Sequence, residues 1–399
     1  MSKSHGATAD HVSIPRSEER QHAAWAAVGS LALGVFGLVT AEFLPASLLT
    51  PIARDLAISE GTAGQTVTAT AAIGAFAGLL VPLLTGRFDR RLVMWSLTAT
   101  LIVSSLLSAF ATGLVTLLGS RLLLGIGIGG FWSMAAATTM RLVPASVLPR
   151  AMSIIFAGVS IATVSAAPVG AYLGELIGWR AVFGLAALVG IVTLVAQMVL
   201  LPALPAKSAP GLGTLADLLR RPSIRLVIAA VLLVISGHFA GFTYIRVFLE
   251  QVPKLSVELV SLGLLAFGVG GFFGNFAGAS LVTRGTRAPV IFGALLIAAA
   301  ALVLIAFGAS MPVAIATAGI WGFAFGAIPV GTQAWIVEAA PDETEAASGM
   351  IVAAFQVAIG SGAIFGGLAL DHLGQLGAVS YAAVATLLGA LLVLTARRK

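Results

Sequence analysis

Twelve apolar runs of twenty residues or more set the terms for this 399-residue chain, lying near 25–51, 61–84, 92–111, 114–140, 150–176, 180–202, 224–250, 257–282, 288–308, 312–337, 346–370 and 376–395. About twenty residues of helix rise roughly 30 Å, the thickness of a bilayer's hydrocarbon core. The runs therefore predict an all-α protein of twelve transmembrane helices. With 59% of its residues apolar and only 10% charged, the chain cannot cover a water-facing surface, which excludes a soluble enzyme. Cysteine is absent, so disulfides, thiolate catalysis and Cys-ligated metals are excluded too.

The formal charge of +6 raises the question of a nucleic-acid partner, and the placement of the basic residues answers it. If the N-terminus is cytoplasmic, seventeen of the 22 Lys and Arg residues fall in cytoplasmic segments, among them Lys3, Arg16, Arg20, Arg87, Arg141, Lys207, Arg284 and Lys399. Only Arg54, Arg180, Arg246 and Lys254 face outside, and Arg121 lies within a span. That bias follows the positive-inside rule, so both termini are expected in the cytoplasm and no nucleic acid is expected as a partner. The first 24 residues are polar and hold no apolar h-region, so no cleavable signal peptide is expected.

The two halves match each other at an offset of about 196 residues. Gly125 and Gly129 correspond to Gly322 and Gly326, Pro144 to Pro341, Arg91 to Arg287, and Thr40-Ala41-Glu42-Phe43 to Ser236-Gly237-His238-Phe239. Several matches at one offset indicate a six-plus-six duplication. Parallel repeats of this kind place a pseudo-two-fold axis along the membrane normal and a site between the halves near mid-depth. The expected organisation is a tail over 1–24, a six-helix bundle over 25–202, a cytoplasmic linker over 203–223, a second bundle over 224–396 and a short terminus over 397–399.

Local motifs sharpen this. Gly86-Arg87-Phe88-Asp89-Arg90-Arg91 after span two resembles a shortened G-x-x-x-D-R-x-G-R-R loop, and Arg121-x-x-x-Gly125-x-x-x-Gly129 resembles a basic motif of span four. Ala167-Pro168-Val169-Gly170 resembles a weakened antiporter Gly-Pro motif, with Ala167 in place of its glycine. With Glu42-Phe43-Leu44-Pro45, Gly130-Phe131-Trp132, Gly174-Glu175-Leu176-Ile177-Gly178-Trp179-Arg180 and Phe242-Thr243-Tyr244-Ile245-Arg246, the chain resembles the drug:proton antiporter-1 branch of the major facilitator superfamily. Within that branch it is similar to bacterial exporters of purine ribonucleosides, from about residue 25 to the end. The resemblance implies a monomeric, multi-pass protein of the bacterial inner membrane that needs no cofactor. It implies export of a small solute such as inosine, guanosine or an analogue in exchange for protons. It further implies conformational gating by Asp89, Arg90, Arg91, Pro168 and Gly170.

The residues themselves suggest where the chemistry lies. Glu42 is the only acid well inside a span, and an ionisable group in lipid is a functional candidate by default. It is a near-surface acid instead if span one ends early at Pro45 or Pro51. Arg121 lies at a comparable depth and either pairs with Glu42 as a coupling residue or snorkels outward and caps carbonyls. His238, the repeat counterpart of Glu42, binds substrate, shares a proton relay or simply bonds a carbonyl. Arg246 suits a gate and a headgroup anchor equally.

Aromatic rings could stack on a flat base: Phe43, Phe131 and Trp132 in the first half, and Phe239, Phe242, Tyr244, Trp321 and Phe325 in the second. Gln65, Thr243, Gln333 and Gln356 could hydrogen-bond its edges. Any one of these rings is better explained by core packing or by facing lipid; only their convergence on spans one, four, seven and ten argues for a cavity. No Walker loop, zinc spacing or catalytic triad is visible, so neither ATP-driven transport nor an enzyme is expected. Two rivals stand beside nucleoside export: the same fold moving sugars or hydrophobic drugs, and a non-transporting sensor or channel. A sensor would carry a soluble output domain, whereas the longest candidate linker has 21 residues.

Overall fold

The computed structural model describes residues 24–144, 147–205 and 213–396. The expected N-terminal tail up to residue 23, Lys207 in the linker and the terminus 397–399 lie outside the described residues. The first half comprises α1 (Trp25–Leu56), α2 (Glu60–Leu84), α3 (Arg90–Ala109), α4 (Leu114–Leu142), α5 (Leu148–Ile177) and α6 (Trp179–Leu200). A short helix α7 (Gly213–Arg220) follows, then α8 (Pro222–Thr243), α9 (Ile245–Gln251), α10 (Val257–Val282), α11 (Ala288–Phe307), α12 (Met311–Ala339), α13 (Thr344–Leu373) and α14 (Gly377–Thr395). Twelve of these helices are long and apolar enough to cross a membrane.

The helix boundaries have local causes. Ser59 caps α2 by accepting the Thr62 N–H at 3.0 Å, and Asp89 caps α3 by accepting the Arg91 N–H at 2.8 Å. Pro222 and Pro289 sit in the first turn of their helices, where the missing N–H has no intrahelical partner to lose. Gly178, at φ 83°, makes the left-handed joint that separates α5 from α6.

Two expectations change. Span one does not stop at its prolines: α1 runs to Leu56 with Pro45 and Pro51 inside it. The seventh span is not continuous over 224–250, because the helix breaks at Tyr244 and resumes as α9. The expected linker contains the short helix α7.

Equivalent helices pack alike in the two halves: α2 on α4 as α10 on α12, α1 on α5 as α8 on α13, and α3 on α6 as α11 on α14. Glycines set the closest contacts. A Cβ at Gly125 would collide with the Thr70 carbonyl oxygen and one at Gly129 with that of Gly74. In the second half, Gly322 meets the Phe267 carbonyl and Gly326 that of Gly271 in the same way. Without hydrophobic drive between helices in lipid, such close approach is what holds them together. Between the halves, α5 packs on α10 and α2 on α13.

Ala24 donates its N–H to the Leu142 carbonyl and Arg287 reaches the Ala396 carbonyl at 3.1 Å, so both described termini lie at one end of the bundle, called here the near end. There Arg221 grips Asp342 through two hydrogen bonds of 2.7 and 2.6 Å. That grip holds the Asp342 carboxyl at about 2, below its ordinary 3.8, and raises Arg221. The lowered acid favours the fold above the unfolded value near 3.8, and the contribution fades as pH falls toward 2.

The glycine contacts yield a prediction. Gly125→Val and Gly322→Val should each force α4 from α2, or α12 from α10, at a cost of about 1–3 kcal/mol. Gly29→Ala, which meets nothing within 4 Å, should leave the unfolding midpoint in detergent unchanged. Equal midpoints for all three would show that these approaches do not hold the bundle.

Candidate functional site

The break between the halves at mid-depth is lined by Glu42, Phe43 and Ala46 of α1, Val67 of α2, and Phe239, Phe242 and Thr243 of α8. The cleft they enclose has a free volume of about 10 Å³, room for one water. Glu42 is half-buried there, and its Oε1 accepts a hydrogen bond from Nε2 of Gln356 on α13 at 3.5 Å. The bond crosses from one half to the other. Phe43 crosses as well, meeting Phe242 edge-on at 5.5 Å and Phe239 at 6.4 Å. The Thr243 hydroxyl and the Gln356 Oε1 are buried without a hydrogen-bond partner.

Arg121 is fully buried on α4, and its guanidinium donates through Nη2 to the Ala41 carbonyl at 2.8 Å. Its Nε and Nη1 have no partner, while the Phe183 ring lies 5.7 Å away. The expected ion pair with Glu42 is therefore not formed; the arginine reaches the backbone one residue before it. Peptide geometry explains this, because the carbonyl preceding Glu42 and its side chain leave α1 in different directions.

His238 sits one layer behind the cleft wall. Its Nδ1 accepts the Trp321 indole N–H at 3.0 Å, and its ring stacks on Phe325 at 3.7 Å with an interplanar angle of 2°. Phe242 and Phe267 lie parallel at 5.7 and 6.0 Å. The accepted bond fixes the neutral tautomer with its proton on Nε2. Trp321 and Phe325 thus shape the cleft through His238 rather than by lining it.

Five expected binding residues lie elsewhere, Tyr244 among them in the far-end cluster described below. Phe131 is core packing of the first half, against the Gly34 backbone. Trp132 stacks on Phe156 at 5.9 Å, because its neighbour Phe131 has taken the inward face of α4. Gln65 bonds its own helix at the Gly61 carbonyl, two residues and half a turn from the cleft-lining Val67. Gln333 is exposed near the end of α12 and bonds Ser348 at 2.9 Å.

Among the expected gating residues, Asp89 caps α3 and accepts the Leu204 N–H at 3.0 Å, so its contacts stay within the first half. Arg90 N–H bonds the Leu204 carbonyl, and Arg91 lies over the Trp95 ring at 5.0 Å. Pro168 is buried inside α5. Gly170 lets α5 press against Ser47 and Leu44 of α1.

A second polar cluster closes the end of the bundle opposite the termini, the far end. Arg246 of α9, 1% exposed, donates to the Ser47 carbonyl of α1 and pairs with Glu250 at 2.6 Å. Glu250 accepts from Thr50 of α1 at 2.5 Å, and Ser59 donates to Asp371 at 2.9 Å. The Tyr244 hydroxyl bonds the Ala363 carbonyl at 2.7 Å and occupies the space that a Cβ at Gly64 would fill. Of the two sequence readings of Arg246, burial between helices excludes the headgroup anchor. Sequence reasoning missed Glu250, although its position four residues after Arg246 on a helix is a signal for pairing.

Comparison with known proteins bears directly on this arrangement. The Major Facilitator Superfamily model matches residues 31–341 and 253–399. This chain belongs to that superfamily. It is 41% identical, over 369 residues, to the purine ribonucleoside efflux pumps NepI of Salmonella paratyphi C, Salmonella typhimurium and Salmonella typhi. The match covers 92% of this chain and 93% of each pump. The family consists of transporters, so the chain is a multi-pass membrane transporter and not an enzyme.

The His238–Trp321 bond can be tested alone. Trp321→Phe keeps an aromatic wall but leaves Nδ1 buried and unpaired, and should cost about 1–3 kcal/mol of stability. A lower unfolding midpoint in detergent checks this, with Trp321→Leu for comparison. An unchanged midpoint in Trp321→Phe would mean the indole N–H contributes nothing there.

Proposed function

We propose that this transporter exports purine ribonucleosides such as inosine and guanosine, or their analogues, in exchange for protons entering the cell. The observation that carries the reading is Glu42: a carboxylate at mid-depth, between the halves, among aromatic rings. The efflux pumps that match nearly the whole chain supply the substrate class.

The two bundles, 25–202 and 224–396, rock against each other about the α2–α13 and α5–α10 contacts, exposing the cleft to each side in turn. The protein acts as a monomer in a bacterial inner membrane with both termini in the cytoplasm. Ten of the described arginines, including Arg87, Arg141, Arg225 and Arg284, stand at the near end and support that orientation.

Glu42 carries the proton, with Arg121 setting the local field from α4 and Gln356 reporting from α13. Phe43, Phe239 and Phe242 stack on the base, and Thr243 and Gln356 offer their unpartnered oxygens to its polar edge. His238, braced by Trp321 and Phe325, sets the depth and polarity of the wall. A cleft that holds one water must widen to admit a nucleoside, so substrate is bound when the halves separate at one end.

Stabilisation of the purified protein by candidate ligands tests the substrate class, since a ligand that binds only the folded state raises its midpoint. Inosine and guanosine should raise it more than free bases or sugars do. A rise with lipophilic cations alone would replace the nucleoside reading with that of a drug exporter. Cells making the protein should also accumulate less labelled inosine; unchanged accumulation at normal expression would count against export.

A further inference from the structure

The helix break at Tyr244 carries one phenol ring across the far end, from the second half into the first. Tyr244 and Val247 share a buried cluster with Leu48 and Ile52 of α1 and Ala63 of α2, so second-half side chains complete a first-half core there. The Tyr244 hydroxyl lies 2.7 Å from the Ala363 carbonyl of α13 and 3.4 Å from the Gly61 carbonyl of α2. It has one hydrogen to donate, and the shorter bond, within its own half, takes it.

Gly64 of α2 supplies the socket for this ring. A Cβ at residue 64 would overlap the hydroxyl oxygen and fall 2.5 and 2.7 Å from the ring carbons Cζ and Cε1, too close for any of them. The ring has little room to turn aside. Tyr244 is 2% exposed, and its hydroxyl is walled on the other side by Gly367, where a Cβ would lie 2.5 Å away. The tight fit is local to the far end. At Gly360, farther along the α2–α13 seam, an added Cβ would meet Ala71 at 3.4 Å, an ordinary contact.

We infer that Tyr244 is a positioning residue of the transport cycle: its hydroxyl, seated in the Gly64 socket, holds the far end shut, and the room at residue 64 sets how often that end opens. When the far end parts, Tyr244 travels with α13, to which its hydroxyl is bonded, and α2 carries Gly64 away from it. An extra methyl group at residue 64 therefore clashes only in the closed state and shifts the population toward the open one. The inference rests on the alternating-access reading, because it supposes that the far end opens. It does not depend on which solute is carried.

The absence of cysteine gives a clean background for a test that uses no substrate. Ala46→Cys places one thiol in the buried cleft, and a membrane-impermeant thiol reagent reaches it from the far or the near end in right-side-out or inverted membrane vesicles. Adding Gly64→Ala should speed far-end labelling about tenfold, the effect of overpacking the closed state alone, and should not speed near-end labelling. Adding Gly360→Ala should leave both rates unchanged. In a Tyr244→Leu background, where the hydroxyl and the end of the ring are gone, Gly64→Ala should add no further acceleration. Tyr244→Phe, which removes only the seated oxygen, should itself speed far-end labelling severalfold, and it serves if Gly64→Ala does not fold. Unchanged far-end labelling in Gly64→Ala or Tyr244→Phe, equal acceleration from both ends, or the same acceleration by Gly64→Ala with Tyr244→Leu in place would each overturn the inference. Failure of inosine to stabilise the protein, with this labelling pattern intact, would instead fault the nucleoside assignment alone.

Discussion

Hydrocarbon offers no hydrogen bonds, so every polar group at mid-depth must find its partner within the protein or stand at a water-filled gap. Glu42 is where this constraint bears hardest. Its carboxyl has one long hydrogen bond, from Gln356 of the opposite half, and Arg121 reaches only the carbonyl of the residue before it. Some polarity within the helices is hidden locally: hydroxyls of Ser30, Thr66, Thr70 and Thr332 return to carbonyls of their own helices. Around Glu42 the pattern differs. Two nitrogens of Arg121, the Thr243 hydroxyl and the Gln356 oxygen are all buried without partners. Orphaned groups of this kind are costly in a resting core, and those of Thr243 and Gln356 stand between the halves, where the proposed function places the solute.

The glycine seams make that arrangement mechanically possible. Within each half, backbone-to-backbone approach at Gly125, Gly129, Gly322 and Gly326 locks helices into rigid units. At the joint, α2 packs on α13 and α5 on α10, while the far end is fastened by side chains on the separate helix α9. Closely packed halves with a polar fastening at one end suit the alternating access proposed for this chain.

Much of this was legible in the sequence because lipid leaves few choices. Apolar run length sets the twelve helices, and the repeated glycines found their partners at the same relative positions in each half. The placement of Glu42, Phe43, Phe239, Phe242 and Thr243 in one cleft followed from depth and repeat symmetry. What sequence could not supply was rotation about a helix axis. Phe131 and Trp132 are adjacent, yet one fills the core and the other faces Phe156, and Gln65 turns away from a cleft that Val67 enters. The break at Tyr244 also left no mark in hydropathy, since Ile245, Val247, Phe248 and Leu249 continue the apolar run and are buried by α1 and its neighbours. Arg121 was placed at the right depth, but whether it met a carboxylate or a carbonyl depended on a side-chain path that spacing does not encode.

Proton coupling, as proposed, rests on Glu42 as the group that takes up and releases the proton. The direct measurement uses reconstituted vesicles, comparing solute accumulation under an imposed pH gradient with solute exchange at equal pH, for the unaltered protein and for Glu42→Gln. The account predicts that both proteins exchange solute at equal pH, while only the unaltered protein accumulates it against a gradient. Uphill accumulation by Glu42→Gln at the rate of the unaltered protein would contradict it and place the coupling proton on another residue.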